Sequence, residues 1–196
     1  IKPIWGLDVA RFGTDKTALC KRYGNVVTDI EAWQGLDLMQ TVGRVMAEYE
    51  NLSPSLRPSE ILVDSIGVGG GVVDRLRELG APVRGINVSE APAMGHTYMN
   101  LRSELWFKAK GWLEDRSCKL PKDDQLLAEL TAIRYSFTSS GKMKAESKDE
   151  MRKRGLKSPD LADALCLTMA SDATTALSGS MSTWKKPIKR NLKGIA

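Results

Sequence analysis

Three consecutive aliphatic residues, Ile61, Leu62 and Val63, run into Asp64 and then into Gly67, Gly69, Gly70 and Gly71. An unbroken apolar run suits a strand covered on both faces, and such strands belong to parallel sheets with helices on either side. The glycines that follow read as a loop and the stretch ending at Gly80 as a helix. This one segment therefore points to an α/β domain, with "VRGINV" (83–88) as the next strand.

The flanking sequence extends the pattern. Ile4 to Val9, Lys16 to Tyr23 and Val26 to Trp33 read as three strands, the last two joined by a tight turn at Gly24-Asn25. They form an antiparallel meander. Leu36, Met39, Val42, Val45, Met46 and Tyr49 recur at helical spacing before Pro54 and Pro58. Two more helices are expected, from about Tyr98 to Asp115 and from Asp123 to Arg134. The first carries Leu101, Leu105, Trp106, Ala109, Trp112 and Leu113 as a core stripe. "YSFTSSGKMKAES" reads as a hairpin turning at Ser140-Gly141. The last helix opens at "SPDLADAL", with Ser158 as N-cap and Pro159 in the first turn. The expected architecture is a mixed central sheet, a three-strand meander plus parallel strands, flanked by helices.

At 196 residues, 42% of them hydrophobic, the chain can bury the core of one domain. No apolar run reaches the ~18 residues needed to cross a membrane, so a membrane partner is not expected. The first residue is Ile1 and a strand begins almost at once, which suggests a domain excised from a longer polypeptide. Cys20, Cys118 and Cys166 have neither zinc-site spacing nor disulfide density, and read as reduced thiols. His96 is the only histidine. Serine-triad and histidine-rich metal chemistry are thereby disfavoured.

The net charge of +5 is unevenly spread. Between residues 142 and 157, seven basic residues (Lys142, Lys144, Lys148, Arg152, Lys153, Arg154, Lys157) face only Glu146, Asp149 and Glu150. Lys185, Lys186, Lys189, Arg190 and Lys193 make residues 174–196 a basic tail that reads as flexible, beyond a domain at 1–173. The remainder is mildly acidic. Two basic segments on an acidic body suggest a polyanionic partner.

The acidic residues carry the chemistry. Asp8 stands in an otherwise apolar strand, where a buried charge costs several kcal/mol unless compensated. It could instead end the strand and cap the turn at Arg11-Phe12-Gly13-Thr14. Asp64 ends its strand where open α/β sheets place ligands, although it could also cap the next helix. Asp160 and Asp163 lie three apart on one helical face, with the small Ala162 and Ala164 allowing close approach to the sheet. A first-turn Asp160 is favoured by the helix dipole alone, whereas Asp163, inside an Ala- and Leu-rich helix, has no cap to make. Asp15 reads as a turn residue. Carboxylates gathered on one sheet repel one another unless divalent cations neutralise them, and all-oxygen donors favour Mg²⁺ or Mn²⁺ over zinc.

"WGLDVARFGTDKTAL", "ILVDSIGVGGGVVDRL", "NLRSELWFKAKGWL" and "ESKDEMRKRGLKSPDLADAL", in that order, resemble the nuclease domain of the large terminase subunit of tailed bacteriophages, from about Trp5 to Ala170. The resemblance implies a ribonuclease H-like fold. It implies a Mg²⁺- or Mn²⁺-dependent endonuclease, with two ions, that cuts concatemeric double-stranded viral DNA during genome packaging. Asp8, Asp64 and Asp163 match the family's metal-binding, catalytic acids, and Asp160 is a further candidate. Lys142, Lys144, Lys148, Arg152, Lys153 and Arg154 would contact DNA phosphates without reading sequence. By the same resemblance an ATPase domain precedes this one, the partners are the small terminase subunit and the portal protein, and the setting is the host bacterial cytoplasm. No GxxxxGK[ST] phosphate loop is present, so ATP hydrolysis is not expected of these residues. Two other readings stay open: a non-catalytic DNA-binding module on the same fold, and one half of an actin-like or sugar-kinase phosphotransferase.

Overall fold

The computed structural model describes residues 1–10 and 15–172. The expected turn at 11–14 and the basic tail lie outside the described residues. A five-stranded sheet has the order β3-β2-β1-β4-β5, with β1 at Ile4–Asp8, β2 at Thr17–Tyr23, β3 at Val26–Trp33, β4 at Glu60–Asp64 and β5 at Val83–Ile86. β1 pairs antiparallel with β2, and β2 with β3 across the Gly24-Asn25 turn. β1 pairs parallel with β4, and β4 with β5. The mixed sheet follows the sequence expectation, including a buried parallel strand at Ile61–Val63.

Strand alternation sorts the side chains into two cores. Trp5, Leu7, Ile61 and Val63 face α1 (Leu38–Glu50) and α2 (Gly69–Glu78), meeting Val45, Val72 and Leu76. Ile4 and Leu62 face the opposite side, where Leu105 of α3 (Leu101–Glu114), Leu126 of α4 (Asp124–Ala132) and Leu165 of α6 (Asp160–Leu167) pack. Gly6, Asp8 and Asp64 share the parity of this second face. Gly6 explains how α6 comes so near: a Cβ at this position would stand 2.1 Å from the Ala164 carbonyl oxygen. The absence of a side chain, matched by the small Ala162 and Ala164, lays α6 against β1 and brings Asp163 beside Asp8.

The ends of the elements revise several of these readings. Gly69–Gly71 form the first turn of α2 rather than a loop, and a Cβ on Gly69 would meet the Asp64 carbonyl oxygen at 1.7 Å. Asp64 does not cap that helix: Val68 holds the N-cap position, and Asp64 Oδ1 accepts from the Ile66 amide at 3.0 Å. Ser158 does not cap α6, whose N-cap is Pro159. Glu129 of α4 serves the helix instead, its Oε2 accepting from the Ala162 amide at 2.9 Å. With α6 starting at Asp160, Asp163 falls in the first turn rather than the interior.

β6 (Tyr135–Phe137) and β7 (Met143–Ala145) form the expected hairpin as a separate two-stranded sheet. A short helix, α5 (Lys148–Lys153), follows directly. Ser147 and Glu150 close a capping box at its start. No helix among the described residues is long and apolar enough to cross a membrane.

Candidate metal centre

Asp8 and Asp64 are the last residues of neighbouring parallel strands, so both carboxylates stand at the same sheet edge. Asp163 reaches this edge from α6. Asp8 is 4% exposed and Asp163 8%. All three line a cavity of about 180 Å³ with Arg102, Trp106 and Lys148.

Lys148 is the cation that these acids share. Its Nζ is 2.9 Å from Asp8 Oδ2, 3.4 Å from Asp163 Oδ2 and 3.9 Å from Asp160 Oδ1. The sequence reading grouped Lys148 with phosphate-contacting residues. The structure turns it inward, because α5 begins where β7 delivers the chain to the acid edge. A signal for this geometry exists in Ser147-Lys148-Asp149-Glu150, whose capping-box spacing starts a helix at Lys148.

Asp163 is held from α3. Trp106 Nε1–H donates to Asp163 Oδ1 at 2.8 Å, and Arg102 Nη2 donates to the same oxygen at 3.1 Å. Arg102 also donates through Nη1 to the Glu146 carbonyl, joining α6 to the segment that carries Lys148. On sequence Trp106 belongs to the core stripe, and no motif there singles out Arg102. Yet Arg102 lies three and four residues before Leu105 and Trp106, on the apolar stripe, and a basic residue on a buried face calls for an anionic partner.

Asp160 stands to one side of the cavity. Its Oδ2 accepts from the Lys16 amide at 2.8 Å, tying the start of β2 to α6. Asp15 pairs with Arg152 at 2.6 Å. The remaining basic candidates are spread outward. Lys144 pairs with Glu150 at 2.7 Å, Arg154 with Glu146 at 2.6 Å, and Arg152 with Asp149 at 2.8 Å as well as with Asp15. Lys142 is half-buried beside the hairpin turn and Lys153 is exposed on α5.

The electrostatics follow from burial. Desolvation raises the Asp8 carboxyl to about 7, against the pull of Lys148 and with the added push of Asp163 and Asp160. Asp64 and Asp160 are raised chiefly by burial. Burial would also raise Asp163, but Arg102 and Lys148, with the Trp106 N–H, outweigh it and hold this acid below the usual carboxylate range. Burial opposes the Lys148 charge, and the surrounding aspartates overcome it, raising the ammonium above its ordinary value.

Among the described residues no group of three His, Cys, Asp or Glu side chains is arranged to hold a metal ion as it stands. The ammonium takes the middle of the acids instead. Two observations test whether a hard divalent cation suits the site. All the donors are carboxylate oxygens, and Asp163 Oδ2 and Asp160 Oδ1 are buried with no hydrogen-bond partner among the described residues. Buried acceptors left open around a stand-in cation are what such an ion would satisfy. The donor set fits.

No protein-family model and no curated protein matches this sequence. Solved structures do match. The nuclease domain of the large terminase subunit gp2 of bacterial virus Sf6 superposes with a TM-score of 0.72 at 23% identity, over 86% of this chain and 88% of that one. The large terminase nuclease from thermophilic phage G20c, solved with bound magnesium, gives 0.67 at 19% identity, over 86% and 80%. The large terminase nuclease domain of Thermus phage P74-26 gives 0.63 at 17%, over 85% and 77%. This chain shares their ribonuclease H-like fold.

Proposed function

We propose that this chain is a metal-dependent endonuclease domain of a viral large terminase subunit, cutting concatemeric double-stranded DNA during genome packaging. One observation carries the reading: Asp8, Asp64 and Asp163, from β1, β4 and α6, converge on a cavity with a cation already seated between two of them. Similar folds solved with magnesium and with manganese support it.

Asp8, Asp64 and Asp163 would hold Mg²⁺ or Mn²⁺, as two ions, with Lys148 ceding its place and Asp160 a further oxygen donor nearby. Bound divalent ions supply an activated water and neutralise charge on the scissile phosphate. The chain's own residues prepare that chemistry. Arg102 and Trp106 orient Asp163 and keep it ionised. Burial raises the Asp8 carboxyl to about 7 against the pull of Lys148, and a divalent ion held there would favour its ionised form. Lys142 and Lys144 lie on the hairpin, Arg152 and Lys153 on α5, and Arg154 at its C-terminal cap. They would contact DNA phosphates, Lys144, Arg152 and Arg154 by exchanging their carboxylate partners, giving affinity without sequence specificity. The upstream ATPase domain, the small terminase subunit and the portal protein are the proposed partners, in the cytoplasm of a bacterial host.

The reading is tested by incubating the chain with supercoiled plasmid. Nicked and linear products in Mg²⁺ or Mn²⁺, absent in EDTA, are expected. DNA retention in gel shifts without cleavage in either metal would instead favour a non-catalytic binding module.

A further inference from the structure

We infer that Trp106 and Arg102 are positioning residues that make Asp163 a one-oxygen ligand and thereby set which divalent cation the site prefers. This inference rests on the metal-nuclease reading. A carboxylate oxygen offers two lone pairs. Both on Asp163 Oδ1 are taken, by the indole N–H at 2.8 Å and the guanidinium at 3.1 Å. Oδ2 is buried, has no hydrogen-bond partner among the described residues, and faces Lys148 at 3.4 Å. The two oxygens of one side chain thus have different duties.

The arrangement is rigid. Asn100 caps α3, its side chain accepting from the Ser103 amide, so the helix start is fixed. Arg102 and Trp106 are one turn apart on the same face, and both are well covered. Arg102 is anchored a second time on the Glu146 carbonyl. Rotating Asp163 to offer both oxygens would break two charge-assisted hydrogen bonds and leave a buried indole N–H and a mostly buried guanidinium without partners, which is costly.

A carboxylate confined to one oxygen suits small cations of strict octahedral geometry. Mg²⁺ demands six near-ideal ligands, whereas Ca²⁺ takes six to eight and readily accepts bidentate carboxylates. The donors on Oδ1 therefore act against Ca²⁺ at this position. Releasing them would let Asp163 chelate, and the preference would move toward the larger ion.

The test is calorimetric titration of the 196-residue chain with Mn²⁺ and, separately, with Ca²⁺, for wild type, Trp106→Phe and Arg102→Lys. Trp106→Phe keeps an aromatic ring in the core and removes the N–H together with part of the indole's volume. Arg102→Lys keeps the charge and removes the fork, which supplies a second route if one variant folds poorly. Loss of an outer partner of a metal ligand typically weakens binding by about 10–100-fold. Mn²⁺ affinity is expected to fall by that much, with a smaller fall or a rise for Ca²⁺, so that the Mn²⁺-to-Ca²⁺ ratio drops. A purely structural role would weaken both ions alike and leave the ratio unchanged, overturning the inference. Unchanged Mn²⁺ affinity in both variants would also overturn it while leaving the nuclease reading intact. A wild-type chain that binds neither ion would remove the reading and the inference together.

Discussion

The Lys148 ammonium lies 2.9 Å from Asp8 Oδ2 and 3.4 Å from Asp163 Oδ2, so one lysine bridges an acid of the first strand and an acid of the last helix. Together with Arg102 on Asp163, it offsets the charge of the buried acids Asp8, Asp160 and Asp163. Breaking a buried pair by removing one partner is strongly destabilising. Lys148 is about a third exposed, which moderates the effect. Lys148→Ala is expected to lose about 1–3 kcal/mol in EDTA, and Mn²⁺ should restore more stability to the variant than it adds to wild type. Thermal melts with and without metal measure this. Equal melting of both proteins in EDTA would contradict it.

Asp8 predicts an unusual pH dependence. Its carboxyl is pushed from 3.8 up to about 7 in the folded chain, so between these values the folded state holds a proton that the unfolded state has released. Stability from this group is fully present below about 3.8 and is lost as pH rises through about 7. In EDTA, wild type should therefore lose melting temperature over that window relative to Asp8→Asn, which carries no titrating group there. Parallel curves for the two proteins would refute the assignment.

Glu150 acts with the opposite sign. Its hydrogen bonds from Lys144 and Ser147 lower it from 4.5 to about 2. Its contribution is present above about 4.5 and disappears as pH falls through about 2. Glu150→Gln, which can still accept the Ser147 amide, should flatten this acid limb. An unchanged limb would show that the Glu150 charge and its pairing with Lys144 add little.

Gly6→Ala tests the contact that brings the helix acid to the strand acid. The new methyl would stand 2.1 Å from the Ala164 carbonyl oxygen. Relief requires backbone movement of α6, at a cost of about 1–3 kcal/mol or more. Urea denaturation should register that loss, and metal-dependent cleavage should fall further than stability because Asp163 moves with the helix. A fully stable Gly6→Ala would show that α6 can shift freely.

Arg152 and Lys153 test the DNA path. Each phosphate contact on duplex DNA contributes about 0.9 to the slope of log affinity against log salt. Replacing both with Ala should flatten the slope by up to about twice that amount. An unchanged slope in fluorescence anisotropy would remove both from the path.

Legibility in the sequence followed the range of the forces involved. Ile61–Val63 read as a buried parallel strand because burial on two faces leaves no alternation to see, and Gly24-Asn25 read as a hairpin because its turn chemistry is local. Asp8, Asp64 and Asp163 stood out for the same local reason, as charges set among apolar neighbours. What escaped depends on contacts distant along the chain. Ser158 has the composition of a cap, but Glu129, 33 residues away from Ala162, reaches the helix end instead. Lys148 looks like one more base in a charged run until α5 is recognised and its side chain is followed to Asp8, 140 positions earlier. Arg102 was hidden by the stripe it belongs to.

The central claim is that these carboxylates work together as a metal-dependent nuclease centre. It is tested most directly by single-turnover cleavage of duplex DNA in Mn²⁺ by wild type and by folded Asp8→Asn, Asp64→Asn and Asp163→Asn. Cleavage by wild type and its loss in Asp8→Asn and Asp163→Asn, with Asp64→Asn strongly reduced and DNA binding retained, is the predicted result. Cleavage that survives in the Asp8 and Asp163 variants would contradict the account.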